Sequence, residues 1–128
     1  MENAERMGSM QIKDLTALEL GRKIKEKEVS VREAVTACLD RIESVEKEIN
    51  GFITVDGERA LRRAEEVQRA IDGGSLCGPL AGVPAAVKDN ICTEGMRTTC
   101  ASRILYHFVP PYSAEAVRRM EHAGAVLI

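Results

Sequence analysis

Apolar and polar positions follow a helical rhythm through the first half of this chain and an extended one after residue 82, and the change of rhythm marks the elements. Thr16-Ala-Leu-Glu19 opens the first helix, because threonine and glutamate at this spacing satisfy exposed backbone donors reciprocally; the helix runs to about Lys27. Ser30-Val-Arg-Glu33 opens a longer one. Its apolar positions Ala34, Val35, Cys38, Leu39, Ile42, Val45 and Ile49 form a single stripe, which Asn50-Gly51 ends. Phe52-Ile-Thr-Val55 reads as a short strand. Asp56-Gly57 leads into a third helix with Ala60, Leu61, Ala64, Val67 and Ile71 on one side, stopped by Gly73-Gly74. A loop over 74–82 precedes an extended segment over 83–89, and 90–99 reads as a turn followed by another short extended piece. Pro110-Pro111 breaks any preceding helix. Ser113 can cap a last helix bearing Ala114, Val117, Met120 and Ala123, which ends at Gly124 and feeds an apolar strand over 124–128. Strands alternating with helices predict an α/β layer architecture, and there is no internal repeat or low-complexity segment.

The extended segment carries the candidate chemistry. Alternation puts Val83, Ala85 and Val87 on one face and Pro84, Ala86 and Lys88 on the other, so Lys88 emerges beside small residues that leave space for a substrate. Pro84 lacks a backbone donor, which predicts a sheet edge or bulge at that point. An apolar setting disfavours the ammonium form of lysine, and the neutral amine can take a proton, so Lys88 is a candidate general base. The same spacing also fits a strand-end lysine whose stem crosses apolar surface to reach water. A carboxylate beside Lys88 would stabilise the ammonium instead, but alternation sends Asp89 to the opposite face; the Asp89-Asn90 pair is expected to fix the strand end by hydrogen bonds rather than to react. Thr98, Thr99 and Ser102 are candidate hydrogen-bond donors around this site and equally candidates for closing a loop. Arg97 reads either as a group that orients a substrate carboxylate or as a solvated surface charge.

Three strings in order, Gly78-Pro-Leu-Ala-Gly-Val-Pro-Ala-Ala-Val-Lys88-Asp-Asn90, Gly95-Met-Arg-Thr-Thr-Cys-Ala-Ser102 and Phe108-Val-Pro-Pro-Tyr112, resemble the first part of the amidase-signature enzymes. The Lys-Asp-Asn triplet is shared across amidases, whereas the second and third strings point more narrowly to the A subunits of glutamyl-tRNA(Gln) amidotransferases. The resemblance runs from about Ile12 to the end of the chain. It implies an α/β fold in which a large mixed sheet is covered by helices. It also implies a Ser-cis-Ser-Lys triad, in which the lysine activates a bridging serine and that serine activates the nucleophile. Lys88 matches the lysine, and both serines of the family lie downstream of Ile128. The implied reaction is glutamine hydrolysis through an acyl-enzyme, with ammonia passed to a partner protein that activates the glutamate of Glu-tRNA(Gln) or the aspartate of Asp-tRNA(Asn). The implied partners are the amidotransferase B and C subunits and, through the complex, charged tRNA. ATP and Mg are then used by the partner, with no cofactor bound by this chain.

Composition removes other classes. A formal charge of −2, with basic residues spread along helix-like segments, gives no phosphate-seeking surface, and 3% aromatic content leaves little for base stacking. Cys38, Cys77, Cys92 and Cys100 form no Cys-x-x-Cys pair, and His107 and His122 are not spaced with them as ligands, so no metal is expected. With no signal peptide or long apolar span the chain reads as cytoplasmic, off the membrane, with free thiols. Cys100 reads as a small packing residue. Lys88 lies six residues after Gly82 and is followed by Asp89, which does not fit a nucleotide-binding loop.

Residues 1–10, with Met1, Met7 and Met10 and no apolar periodicity, read as a disordered leader. Residues 11–128 read as the N-terminal fragment of an amidase-signature domain, since the chain ends inside an apolar run. Without the two serines, the polypeptide alone is expected to be inactive. Two alternatives stay open: part of another amidase that acts on free amides, and a non-catalytic interaction module built on the helical hairpin.

Overall fold

The two predicted capping boxes set the first helices. In the computed structural model, which describes residues 12–128, α1 spans Ala17–Lys25 and α2 spans Val31–Ile49. The hydroxyls of Thr16 and Ser30 accept from the amides of Glu19 and Glu33, and those glutamates accept in return from the amides of Thr16 and Ser30. The leader expected at residues 1–10 lies outside the described residues. Asn50 closes α2 at φ 51°, a left-handed conformation that asparagine tolerates. Helix α3, Gly57–Asp72, starts where the Asp56 carboxylate accepts from the Arg59 amide at 3.0 Å.

Helices α2 and α3 run antiparallel and share a narrow seam. Val31, Ala34 and Val35 meet a core that contains Ala60, Ala64 and Val67, all buried, and the alanines let the two backbones approach. The seam is fixed at one end by the Val31 amide donating to Gln68 Oε1 at 2.9 Å and by the Arg32–Glu65 pair at 2.7 Å. At the other end α3 begins opposite Leu39, whose Cδ1 lies 3.4 Å from where a Cβ on Gly57 would sit. The later turns of α2 therefore overshoot α3, and the predicted stripe is buried only in its first half: Ile42 and Val45 are half-buried and Ile49 is exposed.

Strands β1, Pro84–Ala85, and β2, Val126–Leu127, pair in parallel with Pro84 opposite Val126, and α4, Glu115–His122, lies in the connection between them. Parallel neighbours need such a long crossover. The surrounding bonds, Gly82 N to Gly124 O at 2.8 Å, Val126 N to Val83 O at 2.9 Å and Ile128 N to Ala85 O at 3.0 Å, ask no donor of Pro84. The expected strand over 83–89 is thus shorter in fact, because after Ala85 the chain bends into a turn in which the Ile91 amide donates to the Lys88 carbonyl at 3.0 Å.

Three further expectations are corrected. Phe52-Ile-Thr-Val55 forms no strand: the Phe52 amide donates to Glu46 Oε1 at 2.7 Å and the Ile53 carbonyl accepts from Arg97 at 2.9 Å, so side chains replace a neighbouring strand. The piece expected within 90–99 also makes no strand, and is held by Gly95 N to Pro110 O at 3.2 Å and Thr98 N to Phe108 O at 3.0 Å. Ser113 does not cap α4. Its hydroxyl accepts from the Glu94 amide at 2.9 Å, and Ala114 occupies the cap position without a side-chain bond.

The capping carboxylates make stability depend on acid. Hydrogen bonds from the backbone and side chain of Ser30 hold Glu33 below the usual carboxylate range, and those from Thr16 do the same for Glu19. Each binds its proton less readily folded than unfolded, so the contribution is present above the unfolded value and is lost as pH falls through the lower folded value. Urea midpoints should be flat near neutrality and decline once pH drops below about 4. In Glu33→Gln the decline should be shallower; an unchanged pH slope would remove Glu33 from this account.

Candidate active site

Lys88 stands on the turn that follows β1, at an open cavity of about 510 Å³. Asp89, Asn90, Phe52, Arg97 and Ile128 share its lining. Val83 is buried, Pro84, Ala85 and Val87 are half-buried, and Ala86 and Lys88 are exposed, but Ala86, Val87 and Lys88 all line the cavity, so the expected two-faced alternation stops where β1 ends at Ala85. The predicted apolar enclosure of Lys88 is not observed. Its neighbours Ala86 and Asn90 are exposed as well, so the described residues supply one wall of a site and leave the lysine open to solvent.

Asp89, itself on the cavity lining, grips the next loop. Its carboxylate accepts from the Thr99 amide at 2.8 Å, from the Thr99 hydroxyl, and from the Ala101 amide at 3.4 Å, while its carbonyl accepts from the Cys100 amide at 3.0 Å. Burial works to raise this carboxyl, but the donors from Thr99 and Ala101, with the nearby Arg97 charge, outweigh it and hold Asp89 below the usual range. Of the hydrogen bonds expected from Asp89 and Asn90 together, those of Asp89 form, and the Asn90 side chain makes none among the described residues. Asn90 is exposed on the cavity lining.

The three hydroxyl residues divide. Thr99 is buried and bonded to Asp89. Thr98 is buried too, with its hydroxyl donating to the Met96 carbonyl at 3.2 Å. Ser102 closes the loop: its amide donates to the Thr99 carbonyl at 2.8 Å and its hydroxyl accepts from the Ile104 amide at 3.2 Å. Cys100 is exposed at φ 51°, which corrects its reading as a packing residue.

Arg97 is neither of the groups foreseen. It donates to the Ile53 carbonyl at 2.9 Å and to the Thr54 hydroxyl at 3.4 Å, and its guanidinium lies 4.7 Å from the Tyr106 ring centroid. It thereby ties the 52–55 segment to the loop and makes Phe52 and Ile53 part of the cavity wall. Sequence reasoning missed Phe52, Ile53 and Tyr106 in this role, since contacts across 44 positions leave no local pattern. Among the described residues no group of three or more histidine, cysteine or acidic side chains is placed to hold a metal, and no helix is long and apolar enough to cross a membrane.

Residues 33–128, which include the βαβ unit and its lysine turn, match the family described as Amidase, and the chain belongs to it. Its similarity is to one kind of amidotransferase in particular. It is 57% identical over 119 residues to the A subunit of the glutamyl-tRNA(Gln) amidotransferase of Agathobacter rectalis, and 52% identical over 120 residues to that of Lachnoclostridium phytofermentans. Each match covers 93% of this chain and 24% of the relative, so the chain spans about a quarter of their length. Among solved structures it is similar to the peptide amidase of Stenotrophomonas maltophilia, with 31% identity and a TM-score of 0.84 over 90% of this chain and 24% of that one. An amidase family protein of Bacillus anthracis, 20% identical, shares the fold at a TM-score of 0.88, over the whole of this chain and 26% of that protein. The fold is therefore the α/β amidase-signature fold, represented here by part of its sheet and helices.

Proposed function

We propose that this chain is the lysine-bearing N-terminal part of an amidotransferase A subunit, and that the whole subunit hydrolyses glutamine to supply ammonia for converting Glu-tRNA(Gln) to Gln-tRNA(Gln), or Asp-tRNA(Asn) to Asn-tRNA(Asn). The observation that carries this reading is Lys88 at the rim of an open cavity, on a Lys-Asp-Asn turn whose next residue is pinned. In the proposed reaction Lys88 takes a proton from a bridging serine, which takes one from the nucleophilic serine as its oxygen bonds to the glutamine amide carbon. The carbon–nitrogen bond breaks, the proton returns to the leaving nitrogen, and ammonia departs. Water then attacks the acyl-serine, giving glutamate and the free serine. Burial of Lys88, which residues 12–128 do not provide, falls to the segment that brings the serines. The proposed partners are the B and C subunits, with charged tRNA held through the complex and ATP with Mg used by a partner. The proposed setting is the cytoplasm.

The 128-residue polypeptide by itself should release no ammonia from glutamine above a Lys88→Ala control. The complete subunit, once assembled with its partners, should release ammonia from glutamine in preference to short free amides. Equal turnover of free amides by that assembly would move the chain to the amidases that act without tRNA.

A further inference from the structure

Resting on the reading of Lys88 as the base, we propose that Asp89 and Thr99 form a latch that positions Lys88 for proton transfer, and that both are positioning residues for the reaction. Besides the local turn bond that its own carbonyl accepts from the Ile91 amide at 3.0 Å, Lys88 sits on a span with two long-range anchors. Before it, the last ladder bond is the Ala85 carbonyl accepting from Ile128 at 3.0 Å; after it, Asp89 accepts four hydrogen bonds from residues 99–101. The long-range anchor nearer to the lysine is the latch, one residue away.

The latch is built at a conformational cost. Cys100 and Ala101 are held at φ 51° and 56°, a region that side chains with a Cβ rarely occupy and that costs about 1 kcal/mol or more at each position. In that conformation the Thr99 amide donates to the Asp89 carboxylate at 2.8 Å, and the Ala101 amide is shared between that carboxylate at 3.4 Å and the Thr99 hydroxyl oxygen at 3.2 Å, which ties Thr99 into the same anion-holding loop. Thr99 is only 3% exposed, so its bonds to Asp89 compete little with water. The oxygen facing the Thr99 hydroxyl also receives the Ala101 amide, and the other receives the Thr99 amide, which commits the carboxylate to the loop. A base must be placed within about 0.5 Å of its productive position, and an error of about 1 Å can cost on the order of 10²-fold in rate. A latch one residue from the base sets that position through the backbone.

The test uses the complete amidotransferase complex, with glutamine as substrate and ammonia release as readout. Thr99→Val keeps the shape and the amide but removes the hydroxyl. Its kcat should fall roughly 10- to 100-fold with KM close to that of the parent, and Thr99→Ser should restore most of the loss. The pH midpoint of kcat should stay in place, because the latch acts by position. Should Thr99→Val fail to assemble, Asp89→Asn is read by the same criterion, its single acceptor oxygen being unable to serve both the Thr99 amide on one side and the Thr99 hydroxyl with the Ala101 amide on the other. A parental kcat in these variants, with Lys88→Ala inactive, would overturn the latch and leave the base assignment standing. A shifted pH midpoint in Asp89→Asn would also overturn it, since Asp89 would then act on Lys88 by charge. A fully active Lys88→Ala enzyme would instead sink the underlying reading.

Discussion

If the proposed function holds, replacing Lys88 by alanine in the complete enzyme should abolish ammonia release from glutamine while leaving tRNA amidation intact when ammonium salt is supplied directly. A positioned base contributes roughly 10²–10⁴-fold, and loss of one member of a nucleophile–base unit removes most of what the unit achieves. The fall should appear in kcat, because Lys88 lies on a cavity wall that many other residues also form. Lys88→Arg should not rescue it, since arginine stays protonated at any working pH and cannot accept a proton. The ammonium arm separates a lost base from a broken complex. If amidation failed with ammonium as well, Lys88 would be holding the assembly together; if glutamine still reacted at the parental rate, it would not be the base at all.

The second large effect is expected at Gly82, where Gly82→Ala should cost about 3 kcal/mol of folding stability. Its φ of 83° lies in the left-handed region, and a Cβ there would sit 2.7 Å from Val31 Cγ2 and 3.1 Å from Ile24 Cδ1. Neither neighbour can swing aside, because Val31 and Ile24 are at 0% and 1% exposure in the core. Backbone strain of about 1–2 kcal/mol and overpacking of about 1–3 kcal/mol therefore combine. Gly74 supplies the internal comparison, with φ 75° and nothing within 4 Å of its added Cβ, so Gly74→Ala should lose only the strain. Urea unfolding of both variants, read at constant m, gives the difference directly. Equal losses at the two positions would mean that the core opens to admit a methyl group. Because a domain is stable by only about 5–15 kcal/mol, the loss at Gly82 is a sizeable part of the whole, and it falls on the loop that leads into the Lys88 turn.

The helices were legible from the chain because their signals are local. Thr16 with Glu19 and Ser30 with Glu33 carry their capping partners within one turn, and the seam of Val31, Ala34, Val35, Ala60, Ala64 and Val67 follows the helical period. Family membership was legible for a related reason, since the Lys-Asp-Asn, Arg-Thr-Thr-Cys-Ala-Ser and Phe-Val-Pro-Pro-Tyr strings are contiguous in sequence, and the Amidase match spans all of them. Strand lengths left no such local signal. A segment with extended character, such as Phe52-Ile-Thr-Val55, becomes a strand only if another backbone lies alongside, and here Glu46 and Arg97 take its polar groups instead.

The sequence by itself determined where this chain can be helical and which lysine stands apart from its small apolar surroundings, because the helical period and the Lys-Asp-Asn string are written in neighbouring residues. Tertiary structure alone decided that β1 and β2 are parallel neighbours across 42 positions, that Arg97 builds the far wall of the cavity, and that Asp89 closes on Thr99. Each of these joins groups whose separation along the chain carries no periodic signal, and each follows from backbone and side-chain polar groups finding partners once the helices and the loop are packed together.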